Sequence, residues 1–87
     1  MKSYIHVSLD TEVPGGAGYI RYSREKAVRQ EPMDEKLAVC VDLDPAGNVV
    51  GIELTSLDEY AFSLTDKAAA KYGLKVPKLE QAALALA

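Results

Sequence analysis

Apolar and polar residues alternate through much of the chain. In SYIHVSL (residues 3–9), Ile5, Val7 and Leu9 fall on one side, and Tyr4, His6 and Ser8 on the other. A period of two marks a strand buried on one face. TEVPGGAG (11–18) breaks the pattern with one proline and three glycines, a turn. YIRYS (19–23) predicts a second strand, with Ile20 and Tyr22 inward and Tyr19 and Arg21 outward. Residues 23–26 make the next turn. AVRQE (27–31) predicts a third strand that Pro32 ends. Its thin apolar content places it at a sheet edge or under poor cover.

The strongest pattern follows. Leu37, Val39, Val41 and Leu43 share one face, and Ala38, Cys40, Asp42 and Asp44 the other. Pro45, Ala46, Gly47 and Asn48 form a turn, because proline pre-sets φ while glycine and asparagine accept a positive one. Val50, Ile52 and Leu54 then alternate with Val49, Gly51, Glu53 and Thr55. A four-residue loop predicts the pairs Leu43–Val50, Val41–Ile52 and Val39–Leu54. All three lie on one face, and a one-residue slip would scramble them.

Helical signals occupy the remainder. Ser56-Leu57-Asp58-Glu59 fits the capping box S-x-x-E. Asp66 offers a second N-cap before KAAAKY. Gly73 fits a left-handed helix stop, with Leu74 as the apolar residue after it. Beyond Pro77, KLEQAALALA has good helix propensity and a stripe of Leu79, Ala82, Ala83 and Leu86. The predicted architecture is α+β: a small antiparallel β-meander of about five strands, then a C-terminal helix or helices on one face. The 87 residues make a single domain, with a sheet core over 1–56 and a helical extension over 57–87.

Composition excludes more than it selects. With 48% hydrophobic and 26% charged residues, the chain is built to fold. Its net charge of −3 gives no electrostatic footprint for nucleic acid or an anionic membrane. Arg21, Arg24, Lys26 and Arg29 cluster at a turn and are expected to be solvated, although such a group suits RNA or an acidic partner. A single cysteine, Cys40, rules out an intrachain disulfide and a thiolate metal cluster. No segment reaches the roughly 18 apolar residues of a membrane span. The start of the chain does not read as a signal peptide. A soluble, cytoplasmic protein is expected.

One stretch carries candidate chemistry. VCVDLDPAGNVVGIEL matches the calcium-loop template D-x-[DN]-x-[DN]-G-x5-E at Asp42, Asp44, Gly47 and Glu53, and misses at Ala46. A true loop of that kind sits between helices and supplies oxygens at alternate positions. Here the flanks read as strands, so a hairpin with an acidic outer face is favoured and no metal or cofactor is expected. Glu53 should lie near Cys40 on that face. His6, the one histidine, reads as an exposed strand residue without an orienting partner. Acidic neighbours should raise the Cys40 thiol pKa rather than lower it. The glycine-rich turn lacks the Lys-Ser/Thr and the helix of a phosphate loop. Asp42, Asp44, Glu53, Cys40 and His6 are therefore candidates for a functional surface, and no residue is assigned as catalytic.

YIRYS followed by VDLDPAGNVVGIEL resembles the small prokaryotic family named domain of unknown function 2283. The resemblance covers roughly residues 4–57 and rests on Asp42, Asp44, Gly47, Val50, Gly51, Ile52 and Glu53. The first turn is longer and richer in glycine than the family pattern, and the C-terminal extension is absent from its shortest members. The resemblance implies no catalytic residue. It implies, by analogy with members beside toxin-like proteins, a possible antitoxin-like role. Two readings of different class follow. One is a non-enzymatic interaction module, a homodimer with a possible protein partner. The other is a small-ligand or metal-binding enzyme using Asp42, Asp44 and Glu53. Convergence of Cys40, Glu53 and His6 in a pocket would separate them.

Overall fold

The computed structural model describes residues 5–79. Strands β1 (His6–Asp10), β2 (Ala17–Arg21), β3 (Arg29–Pro32), β4 (Val39–Leu43) and β5 (Val49–Leu54) precede one helix, α1 (Glu59–Tyr72). All pairings are antiparallel, so the expected five-stranded sheet followed by helix is present.

The connectivity is not the expected meander. The strand order is β1-β2-β5-β4-β3. The segment between β2 and β3 crosses the turn end of the β4–β5 hairpin, giving a Greek-key arrangement. It is tied there at both ends. The Tyr22 and Ser23 amides donate to the Val50 carbonyl, and the Val28 amide donates to that of Leu43. β3 falls at the edge, as its polarity suggested, but spans Arg29–Pro32 rather than 27–31. Pro32 ends it opposite Cys40, a position an edge strand tolerates because one side needs no donor.

Val39 pairs with Leu54 and Val41 with Ile52, as expected; Leu43 pairs with Val49 instead of Val50. Asp44 causes the difference. Its carboxylate Oδ1 accepts the Ala46 and Asn48 amides, each at 2.9 Å. Its own amide donates to the Asn48 carbonyl. The loop is thus three residues, closed by Gly47 at φ 86°. Val50 becomes the extra residue of a bulge that restores the Val41–Ile52 register.

Leu37 does not join the β4 face. It has a φ of 58° and is 53% exposed. It closes the β3–β4 turn, which Asp34 holds by accepting the Ala38 amide and the Tyr60 hydroxyl. The Tyr60 bond is the main cause holding the Asp34 carboxyl below its usual pKa.

The helix begins within the Ser56–Glu59 stretch, at its end. Asp58 is the N-cap, accepting the Ala61 amide at 2.8 Å. Asp66 lies inside α1 rather than at its start, because buried Leu64 and Thr65 before it and Ala68 and Ala69 after it hold the helix against the sheet on both sides. Gly73 is the left-handed stop at φ 67°, and the following Leu74 amide reaches the Ala69 carbonyl. Ala61, Leu64, Thr65, Ala68 and Ala69 form the buried stripe, resting on β4 and β5. Ala61, Leu64 and Ala68 meet Ile20, Val39, Val41, Leu43, Ile52 and Leu54 in one core. Leu79 joins that core; Ala82, Ala83 and Leu86, the rest of its stripe, lie outside the described residues. No helix among the described residues is long and apolar enough to cross a membrane.

Candidate functional site

The helix covers one face of the sheet. Register defines the other in two rows. One row runs His6, Arg21, Gly51, Asp42, Gln30; the next runs Ser8, Tyr19, Glu53, Cys40, Pro32. Two side-chain bridges cross these rows. The Tyr19 hydroxyl on β2 donates to Asp42 Oδ2 on β4 at 3.0 Å, spanning β5. Gln30 Nε2 on β3 donates to Glu53 Oε2 on β5 at 2.8 Å, spanning β4.

Gly51 makes the first bridge possible. A Cβ at this position would run into the end of the Tyr19 ring and lie 2.8 Å from the Ile20 carbonyl oxygen. The phenol therefore lies across a strand residue with no side chain. The Arg21 guanidinium approaches the same ring at 5.9 Å from its centroid, within range of a cation–π contact.

These positions set the electrostatics. Burial is the largest cause pushing the Tyr19 phenol up to about 12, and the hydrogen bond to the Asp42 carboxylate is the next. Burial also leads in raising the Cys40 thiol, with Glu53 and Asp42 adding charge repulsion. Cys40 is 6% exposed and carries its proton, as the acidic surroundings predicted; it is not a thiolate nucleophile.

The candidate residues come together only in part. Asp42, Glu53 and Cys40 share the open face, and Glu53 is the cross-strand partner of Cys40. Asp44 is committed to the hairpin turn. His6 stands on β1, three strand spacings from Cys40, or about 14 Å. That separation keeps His6 from converging with Cys40 and Glu53. Two open depressions flank the face, one including Ser8, Asp10, Tyr19 and Glu53, the other Arg29, Gln30 and Asp42. Among the described residues, no three of His, Cys, Asp and Glu are grouped to hold a metal ion.

Sequence reasoning passed over Tyr19, Gln30 and Gly51. An isolated glycine within a strand signals close approach of another group, and Gly51 carried that signal. Tyr19 and Gln30 carried none, because their partners are set by strand order.

Two expected results arise from this geometry. Calcium titration should show no binding at micromolar concentration, since Asp44 serves the turn and Asp42 serves Tyr19; saturable binding lost in Asp42→Asn would overturn this. Alkaline absorbance titration of the wild type minus Tyr19→Phe should show a phenol ionising near 12. Asp42→Asn should lower that value only partly, because burial remains. The folded-state value lies above the ordinary 10.0. The resulting stability is complete below that ordinary value and is lost as pH rises through the folded one. A phenol titrating at its ordinary value would place Tyr19 in solvent.

Compared with known proteins, the chain matches no family model, no curated protein and no solved structure.

Proposed function

We propose that this chain is a non-enzymatic protein-interaction module that self-associates. The observation carrying this reading is the sheet face left open by the helix, where Tyr19, Arg21, Gln30, Asp42 and Glu53 are held in place by contacts with one another. Tyrosine and arginine suit a protein contact, because they present wide surfaces at low cost in side-chain freedom. An enzyme would need a nucleophile beside a base, or converging carboxylates in an enclosed site. Asp44 turned into the hairpin and His6 on the far edge speak against both.

The reading extends to family and compartment. Membership of domain of unknown function 2283 is supported by the hairpin residues Asp42, Asp44, Gly47, Gly51 and Glu53, several with a distinct structural task here. A cytoplasmic setting is supported by the lone, buried Cys40. Sedimentation equilibrium of the whole chain tests self-association. A homodimer at micromolar concentration is expected, and a monomer throughout the accessible range would remove that part of the reading.

A further inference from the structure

β1 is an outer strand of the sheet and has a partner on one side only among the described residues. Such an edge presents unpaired backbone amides and carbonyls to any chain of matching shape. The opposite edge is guarded. β3 has four residues, ends in Pro32 without an amide proton, and has Glu31 drawn to Lys71 and Tyr72 of α1. β1 has no proline and no lysine or arginine.

The sequence of β1, HVSLD, is complementary to itself when run antiparallel. Centred on Ser8, it places His6 opposite Asp10 of a second copy, Val7 opposite Leu9, and Ser8 opposite Ser8. Directly opposed residues of an antiparallel pair share a face, so the match can be checked face by face. His6, Ser8 and Asp10 are exposed and lie on the open face, while Val7 and Leu9 are half-buried against the core. The polar pairs thus meet in solvent and the apolar pairs extend the core. Moving the centre to Val7 puts Asp10 opposite Tyr4, and moving it to Leu9 puts His6 opposite Glu12, both outside β1. Only the Ser8 centre pairs every residue of the strand with another of the strand.

We infer that β1 is the homodimer interface, pairing with β1 of a second copy about a two-fold axis that passes between the two Ser8 residues, normal to the sheet. The dimer is a continuous ten-stranded sheet with both helices on one face. Either set of outward backbone groups, those of His6, Ser8 and Asp10 or those of Val7 and Leu9, closes such a ladder. Isologous pairing of this kind is the usual route to a closed dimer. This inference rests on the self-association reading and gives it a location and a register.

The sign of charge at position 6 tests it. His6→Glu sets a carboxylate against Asp10 of the second copy, twice by symmetry, and should raise the dimer Kd by about tenfold. His6→Lys should leave the Kd unchanged or lower it. Within one chain the effects run the other way. The cross-strand partner of His6 is Arg21, which favours glutamate and disfavours lysine. A purely intrachain role therefore cannot imitate the expected split.

Cross-linking tests the register. In a Cys40→Ala background, Ser8→Cys should form a covalent dimer under mild oxidation, because opposed Cα atoms about 5 Å apart suit a disulfide. His6→Cys should not, since the two copies of position 6 would stand about 14 Å apart. A dimer insensitive to charge at position 6, with no preference for cross-linking at position 8, would overturn the β1 interface while leaving self-association intact. A wild-type chain that stays monomeric would overturn both.

Discussion

Ile52→Ala should lower the free energy of unfolding by about 3 kcal/mol. Ile52 is 0% exposed on β5, the central strand of the sheet, flanked by Ile20 on β2 and Val41 on β4. Both neighbours are themselves fully buried, so little can collapse into the space an alanine leaves. The adjacent Glu53→Ala should behave differently. Glu53 is half-buried on the other face and loses only its bond from Gln30. Its cost should be under about 1 kcal/mol. Urea melts of both variants make the comparison. Equal losses would mean that the Glu53 face is as enclosed as the core, and the open-face description would fail.

Gly51→Ala should cost about 2 kcal/mol although it adds a single methyl group. The new Cβ would displace the Tyr19 ring and crowd the Ile20 carbonyl oxygen. The ring can swing away, but only by giving up its hydrogen bond to Asp42. The carbonyl belongs to a paired strand and yields less. A double-mutant cycle with Tyr19→Ala separates the two parts. The penalty of Gly51→Ala should fall by about 1 kcal/mol in the Tyr19→Ala background, leaving the share due to the backbone. Strict additivity would show that the phenol does not rest on Gly51.

The parts of the fold legible in the sequence are those governed by neighbours in the chain. Val39, Val41, Ile52 and Leu54 announced themselves by a period of two, and their register followed from the short turn between them. Gly73 announced the end of the helix because few other residues accept its backbone angles. Where two local solutions compete, the pattern could not decide. Residues 45–48 suit a four-residue loop, but the Asp44 carboxylate stabilises a three-residue one and pushes Val50 into a bulge. Leu37 is apolar and in phase with Val39, yet it sits in a left-handed turn. Asp66 has the chemistry of a cap, but its neighbours continue a helix that packing already holds.

The candidate site was legible only as an acidic face. That Asp42, Glu53 and Cys40 share one side followed from alternation. Which side chains bind them did not, because Tyr19 reaches Asp42 only with β2 beside β5, and Gln30 reaches Glu53 only with β4 between β3 and β5. Tyr19 and Glu53 are cross-strand neighbours separated by more than 30 positions along the chain, and no local pattern encodes such a pairing. The separation of His6 from Cys40 had the same origin.

The strand order also divides the molecule by the sequence in which it can assemble. β3, β4 and β5 are joined by short turns, and α1 rests on β4 and β5. Their contacts are local and close small loops. The β1–β2 hairpin is local too, but attaching it to β5 requires closing a loop of about 30 residues. High contact order makes that docking late, and the same hairpin is the first to detach. Its departure uncovers the β5 edge, where Val50, Ile52 and Leu54 stand with Glu53 as the one charge. Such an edge is a template for another chain. Aggregation nucleated at that edge would be governed by the free energy of lifting one hairpin, not by that of unfolding the whole domain.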